Sequence, residues 1–360
     1  MIIAFLNSTE TLWIPVFSLN DRVYESPIYP FFAAIQILIY CSTAYIIVRT
    51  CKIITKIRLF HENKNILMAF FLCQWFEAIL AKILILPYQI GLIQIGNSPG
   101  KSYFSWWSSG RNDMVLVEST DDIRVLYIAC YVYRHYMFSM FFGIMAIGVE
   151  RACATFYIHD YEHVRRRHIP VILIILVNII TIPYVYFVIH NRIPFLVVYG
   201  QWAVCIVLST SAYATILRIN FVFRNQMRKN ITDHEKYSLA RKFQVEENIR
   251  SLKLAKYTVL VGSVHISLTL LVFTCLMLGF FERLQVFFVH ILENLILLPA
   301  LVMAVALLCC SVAWRHEFMQ KLPVLGKHIS GTSRIGISES RRSVVLESEV
   351  YFQQLRSSWN

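Results

Sequence analysis

Several signatures of enzymes, transporters and secreted proteins are missing from this chain. It has no His-Glu-x-x-His or Gly-x-Ser-x-Gly motif, and its 11 histidines show no metal-ligand spacing within one helix. The sequence therefore predicts no enzyme, no cofactor and no metal site. No internal repeat, half-helix pair or filter-like glycine-rich segment is present, which weighs against a transporter or channel. Residues 1–6 are too short and uncharged for a cleavable signal peptide.

Seven apolar stretches, each about as long as a membrane-spanning helix, are what the chain does contain. A hydrocarbon core of about 30 Å requires roughly 20 helical residues, and backbone groups in lipid must be satisfied within the helix. The sequence therefore predicts an all-α membrane protein built as a seven-transmembrane helix bundle. The predicted spans are 28–48, 66–86, 123–149, 169–189, 195–217, 257–281 and 285–310.

Lysine and arginine alternate between the two sides of these spans. One side collects 26 of the 34 Lys and Arg residues, the other side has five, and three lie within spans. Short cytoplasmic loops carry such an excess, so residues 1–27 are predicted to be extracellular and the C-terminal tail cytoplasmic, in a multi-pass protein of the plasma membrane. The net charge of +12 is then loop charge that faces anionic lipid headgroups, not a nucleic-acid surface.

Predictions about covalent modification follow from this orientation. Asn7-Ser8-Thr9 is an N-glycosylation acceptor on the predicted outer side, whereas Asn230-Ile231-Thr232 is predicted to be cytoplasmic and unmodified. None of the nine cysteines lies in a predicted outer loop, so no structural disulfide is predicted. Cys309 and Cys310, at the cytoplasmic end of span seven, are either palmitoylation sites or small packing residues.

The cytoplasmic segments differ in predicted structure. Loop 218–256 has no proline or glycine before Gly262, so span six is predicted to continue into the cytoplasm as a helix. Residues 311–322 place a tryptophan and a phenylalanine on one face, which predicts a short amphipathic helix at the membrane surface. Residues 323–360 are rich in Ser and Arg and are predicted to be mostly disordered.

Ionisable residues within the spans are costly and by default indicate function. Glu77, near mid-membrane, is a candidate either for sensing conformation or for a hydrogen bond to a neighbouring span. Lys82 is near enough to the outer end to snorkel, and His265 is predicted to be a packing residue. Span seven carries Glu293 and the polar Asn294.

A candidate ligand pocket is predicted around span three. Arg134 and Glu293 each lie 17 residues from the cytoplasmic end of their helix, about 25 Å along it, so an ion pair between them is geometrically possible. Tyrosines and a phenylalanine at three–four spacing share the face of Arg134, as in the wall of a small-molecule pocket; helix packing around one internal ion pair is the alternative. The pocket candidates are Tyr127, Tyr131, Arg134, His135, Phe138 and Glu293.

An acidic–arginine pair, Glu150-Arg151, ends span three. It resembles the acidic-Arg-aromatic switch of rhodopsin-like receptors. Longer patterns resemble the nematode serpentine receptor class epsilon (Sre) family. These patterns are Asn7-Ser8-Thr9, Leu12-Trp13-Ile14-Pro15-Val16-Phe17, Glu150-Arg151-x-x-Ala154-Thr155 with Asp160-Tyr161-Glu162, and Phe243-Gln244-x-x-Glu247-Asn248-Ile249-Arg250-Ser251-Leu252.

The resemblance implies a seven-helix chemosensory receptor of the plasma membrane or sensory-neuron cilium that binds a small-molecule cue and couples to a heterotrimeric G protein. Glu150 and Arg151 are then the expected signalling switch. Basic residues of the two cytoplasmic loops are the expected G-protein contacts: Arg165, Arg166, Arg167, Arg241, Lys242 and Arg250.

The chain departs from the rhodopsin-like pattern in several places. Ala152 replaces the aromatic of the switch triplet, span six has no proline, and Pro299 in span seven is not part of an Asn-Pro-x-x-Tyr arrangement. The topology and the proposed role of the acidic–arginine pair are what carry over. A transporter or ion channel is the alternative function, and an intramembrane enzyme that joins histidines from different spans is the third.

Overall fold

A computed structural model describes residues 1–22, 26–27, 29–57, 62–96, 101–103, 110–111, 114–157, 167–229, 239–280 and 284–320. The helices in this part of the chain are α1 Tyr29–Lys56, α2 Glu62–Cys73, α3 Trp75–Gln89, α4 Arg124–Phe156, α5 His168–Ile189, α6 Phe195–Lys229, α7 Leu239–Met277, α8 Gln285–Leu297, α9 Pro299–Cys310 and α10 Val312–Gln320. The strands are β1 Ile2–Phe5, β2 Thr11–Trp13 and β3 Val115–Val117.

These helices confirm the predicted seven-transmembrane bundle. Six segments of the described chain are long and apolar enough to cross a membrane, and α2 with α3 forms one of them. The bent pair α8 and α9, which meet at 52°, completes seven if it counts as one span. Large apolar side chains are exposed along α1 and α5, for example Phe31, Leu38 and Ile179. Lipid tails cover such apolar surfaces in a membrane, and the chain is a multi-pass membrane protein.

Helix α4 lies at the centre of the bundle and contacts α2, α3, α5, α6 and α7. Its approach to α2 is close because Gly143 has no side chain: a Cβ there would lie 2.7 Å from the Phe71 ring. Phe71 and Ala146 belong to a buried cluster that also includes Leu173 and Val177 of α5. The third span is therefore held from several sides by packing.

Two strands before the first helix and one strand between α3 and α4 form a small sheet that the sequence analysis did not predict. Strand β1 pairs antiparallel with β2 and parallel with β3, in the order β2-β1-β3. Exposed residues 6–10 form the turn of the β1–β2 hairpin. We call the end of the bundle that carries this sheet the sheet end, and the other end of α4 the Arg151 end.

The sheet is attached to the helix bundle by backbone and side-chain hydrogen bonds. Asn20 and Asp21 donate their backbone N–H groups to the carbonyls of Tyr88 and Gln89 at the end of α3, at 3.1 and 2.8 Å. Asn191, beyond α5, donates to the Thr11 hydroxyl. Residues 1–5 and 12–21 are buried, so this segment is part of the fold and covers the sheet end.

Candidate functional site

Arg134 is a buried cation in the sheet-end half of α4, and only 3% of its surface is exposed. Its guanidinium carbon lies 4.1 Å from the centre of the Trp13 ring, and its Nη2 donates a long hydrogen bond, 3.4 Å, to the Trp13 carbonyl. Its Nε–H is buried without a hydrogen-bond partner. The contact partner of this arginine is therefore an aromatic residue of the N-terminal segment.

The ion pair considered for Arg134 and Glu293 is not formed, and the structure corrects this prediction. Lys82 Nζ lies 2.7 Å from Glu293 Oε2, and Gln89 Nε2 donates to Glu293 Oε1 at 2.6 Å. Lys82 also donates to the Gln89 side chain at 2.6 Å. Glu293 thus faces α3, and Lys82 points into the bundle, where it meets the carboxylate, and does not snorkel.

The aromatic pocket candidates of α4 lie against α5. The Tyr127 hydroxyl is 3.2 Å from His190 Nε2, and the Tyr131 hydroxyl donates to the Ile182 carbonyl. Phe138 is buried and meets Tyr184 edge-on, with ring centres 4.8 Å apart. These side chains share one face of α4, as the spacing predicted, but that face is largely occupied by α5.

Two polar clusters join neighbouring spans. His135 contacts Glu77 Oε2 through Nδ1 at 3.0 Å and Asn178 through Nε2 at 3.1 Å, which connects α4 with α3 and α5. Asn294 accepts hydrogen bonds from Gln36 and Tyr40 of α1 at 3.2 and 3.1 Å. The helix partner considered for Glu77 is therefore present, because its carboxylate meets an imidazole of the next span.

Three cavities follow α4 through the bundle. The first, of about 30 Å³, is at the sheet end and is lined by Met1, Trp13 and Arg134 among others. The second, of about 90 Å³, shares Met137 and Trp202 with the first. The third, of about 400 Å³, shares Met140, Phe141, Ile144, Ile266 and Met303 with the second and extends to Arg151. Cavities therefore lie along α4 from the sheet end to Arg151, and the largest of the three is at the Arg151 end.

The acidic–arginine pair at the Arg151 end is closed. Arg151 donates from Nε to Glu150 Oε2 at 2.6 Å and from Nη2 to Glu150 Oε1 at 2.5 Å, a bidentate geometry. Neither side chain is more than 3% exposed. Asn220 of α6 donates to Thr155, one turn further along α4, at 2.9 Å. Release of a buried, paired arginine requires a new partner for its charge.

The remaining predicted residues lie only in part among the residues that the structure describes. Arg167 forms an ion pair with Glu62 at 2.7 Å. Arg165 and Arg166 lie outside the described residues; Arg241, Lys242 and Arg250 lie within α7, but their side chains are outside the described part. Asn7 is exposed in the β1–β2 turn, and Cys309 is exposed at the end of α9.

Met1 and Trp13 are the site residues that the sequence analysis missed. The N-terminal amine of Met1 is buried and donates to the carbonyls of Ile14 and Val16 at 2.7 and 2.8 Å. Burial lowers the pKa of this amine well below its usual 8.0, and the charge on Arg134 lowers it further. Apolar β-formers on both sides of the polar Asn7-Ser8-Thr9 turn were the available signal.

Comparison with known proteins gives one consistent result. The family model described as Sre G protein-coupled chemoreceptor matches residues 1–360. The chain is 44% identical to serpentine receptor class epsilon-37 of Caenorhabditis elegans over the full length of both. It is 37% identical to class epsilon-38 of the same organism, with 99% of this chain and 100% of the relative covered. No solved structure matches.

Proposed function

The chain belongs to the Sre family of G-protein-coupled chemoreceptors, and from that premise we propose that it binds a small-molecule cue at the sheet end and signals to a heterotrimeric G protein at the Arg151 end. The sheet end then faces the outside of the plasma membrane of a sensory neuron, with its cilium as the expected site. The Lys and Arg asymmetry of the loops supports this orientation.

One observation carries the proposal: a single helix lines the cavities at both ends. Arg134 lines the sheet-end cavity and Arg151 lines the large cavity at the other end. These residues are separated by 17 positions of α4, about 25 Å along the helix axis. A cue that shifts or rotates α4 at one end therefore displaces Arg151 at the other, and the cavities between leave room for side chains to repack.

The signalling step we propose is release of Arg151 from Glu150. The bidentate pair holds the buried arginine, and it opens only when another group compensates both charges. Movement of α4 against α6 offers such a change, because Asn220 already contacts Thr155 beside the pair. Cys309 is the proposed palmitoylation site, and the G-protein contacts in this proposal are the basic residues expected from the sequence: Arg165, Arg166, Arg167, Arg241, Lys242 and Arg250.

The test is a signalling assay with Arg151→Ala. The chain is expressed with a promiscuous G protein and a calcium reporter, and volatile and water-soluble cues are screened. We expect Arg151→Ala to abolish the cue response while surface delivery, measured with an N-terminal antibody epitope and cell-surface labelling, persists.

Lys52→Ala is the matched control, because Lys52 is an exposed cation near the Arg151 end of α1. This variant is expected to respond normally. An Arg151→Ala receptor that reaches the surface and signals like the wild type contradicts the switch.

A further inference from the structure

The charge at Arg134 is not compensated within the described residues. No carboxylate of this part of the chain pairs with it; Glu293, the partner considered from the sequence, is engaged by Lys82 and Gln89. The guanidinium has instead the Trp13 ring, one long hydrogen bond and an Nε–H that is buried without a partner. Burial of an unpaired cation costs desolvation free energy, and an anion in contact with the cation offsets much of that cost.

The rest of the cavity around Arg134 is apolar and aromatic. Phe195, Tyr199 and Trp202 of α6 and Phe273 of α7 form the wall opposite α4. Phe273 stacks on Tyr199 with ring centres 5.9 Å apart and 21° between the planes. A site of this kind, with one cation at the end of an aromatic enclosure, suits a molecule with an apolar body and one anionic group.

The single positive charge of Arg134 favours a ligand whose anionic group carries one negative charge. A single guanidinium compensates one negative charge and matches the two oxygens of a carboxylate in bidentate geometry. A phosphate or another dianion brings a second charge into an enclosure of aromatic walls, where its desolvation is not repaid. The amine of Met1 adds little to this positive charge, because burial and the charge on Arg134 lower its pKa well below its usual 8.0 and so favour its neutral form.

The volume of the cavity shows what has to move. About 30 Å³ is free, roughly the space of one water molecule in the liquid, so no organic acid enters while Trp13 covers the guanidinium. Trp13 is part of the N-terminal segment and not of a span, and it meets Phe195 edge-on at 5.4 Å. Its ring occupies the position over Arg134 that a ligand needs.

We propose that the sheet-end cavity binds a small apolar carboxylate, which pairs with Arg134 and displaces the Trp13 ring from it. The proposal rests on the proposed function in that it takes this cavity as the cue site. Trp13 acts as a placeholder: it stabilises the arginine without ligand, and its displacement connects the anion to movement of the β1–β2 hairpin.

The test is direct binding to the purified full-length chain in lipid nanodiscs, without a G protein. Butanoate, hexanoate and benzoate are compared with the matching alcohols and amides and with hexyl phosphate, at equal ionic strength, by the shift in thermal unfolding. We expect the carboxylates to bind at least about tenfold more tightly than their neutral partners, since a charge-assisted bond is lost in those. Equal binding of acid and alcohol, or no binding of any acid at millimolar concentration, overturns the proposal.

Variants test whether Arg134 is the residue that pairs with the ligand carboxylate. Arg134→Met is expected to lose about ten- to one-hundredfold in carboxylate affinity. Arg134→Lys keeps the charge but not the two parallel N–H donors of the guanidinium, so its carboxylate affinity should fall about tenfold. Arg124→Met is the matched control, because it removes an exposed cation at the sheet-end start of α4; it should bind like the wild type. Unchanged affinity in Arg134→Lys, or the same loss in Arg124→Met, overturns the assignment.

The placeholder role has its own variant. Trp13→Ala empties the position over the guanidinium, so carboxylates should bind more tightly than to the wild type. Weaker binding means that the ring is a wall of the site and overturns the displacement.

A receptor whose carboxylates bind as expected but evoke no response contradicts the proposed function alone. A neutral cue that activates Arg134→Met as well as the wild type contradicts this inference alone.

Discussion

At the scale of single residues, Lys82 and Glu293 form the ionic connection between the second and seventh spans. Their side chains are 13% and 6% exposed, and Gln89 bonds both of them. Two charges taken out of water repay their desolvation only when geometry and additional hydrogen bonds are good, and removal of one partner leaves the other unpaired. The cluster therefore constrains which faces of α3 and α8 can meet.

This arrangement predicts strong coupling between the two positions. Lys82→Met alone should lower the free energy of unfolding in micelles by about 3–5 kcal/mol, because Glu293 is left as an uncompensated buried charge. The double variant Lys82→Met with Glu293→Met should recover most of that loss. The measurement is a double-mutant cycle by thermal or denaturant unfolding; additive losses contradict the ion pair.

The sequence identified these residues but not their partners. Hydropathy marks Arg134, Glu77 and Glu293 as ionisable groups within spans, and helical rise places Arg134 and Glu293 at one depth. Depth does not determine which way a helix is rotated about its axis. Packing of α8 against α3 sets that rotation, and it directs Glu293 to Lys82 and leaves Arg134 to Trp13.

At the scale of helices, Pro299 interrupts the hydrogen bonding of the seventh span, and a residue of a neighbouring span replaces the missing donor. Proline has no N–H, so the carbonyl four residues earlier, that of Leu295, loses its helical donor. His265 of α7 donates Nε2–H to this carbonyl at 2.8 Å. Trp75 of α3 donates to the Leu297 carbonyl at 2.7 Å, beside the 52° bend. The bend is thus stabilised by hydrogen bonds from two other spans.

The hydrogen bond from His265 to the Leu295 carbonyl should contribute to stability because residue 299 is proline and has no N–H to donate. His265→Leu should destabilise the wild type by about 1–3 kcal/mol, the cost of a buried carbonyl without a donor. In a Pro299→Ala background the new N–H can bond the Leu295 carbonyl, so the same change should cost less. Unfolding of the four proteins of the cycle measures this coupling. Equal costs in both backgrounds show that His265 contributes by packing alone.

The helices were more predictable than the sheet because the signals differ in strength. A run of 20 apolar residues has few alternatives to a membrane helix, and six segments of the described chain are long and apolar enough to cross a membrane. The strands have three or four residues each. Strands this short carry little pattern, and β1 pairs with β3 across more than 100 positions, which no local signal reveals. The contact of Trp13 with Arg134 was missed because the short strand that carries Trp13 gave too weak a pattern.

At the scale of the whole molecule, sidedness determines what each end can do. The sheet end carries the aromatic cavity and few Lys or Arg residues, and the Arg151 end carries the 400 Å³ cavity and most of the basic loops. If the basic end is cytoplasmic, the Arg151 end faces proteins of the cell interior and the sheet end faces external molecules. The reverse orientation removes both roles together.

Glycosylation tests this sidedness. Asn7 is exposed in the β1–β2 turn, and only acceptors that reach the lumenal side are modified. The expressed chain should show a mobility shift that a glycosidase removes and that is absent in Asn7→Gln and Thr9→Ala. Thr9→Ser, which keeps the acceptor triplet, should retain the shift, and Asn230→Gln should not change it. A glycan on Asn230 in place of Asn7 means that the basic end is outside, and a G protein then has no access to Arg151.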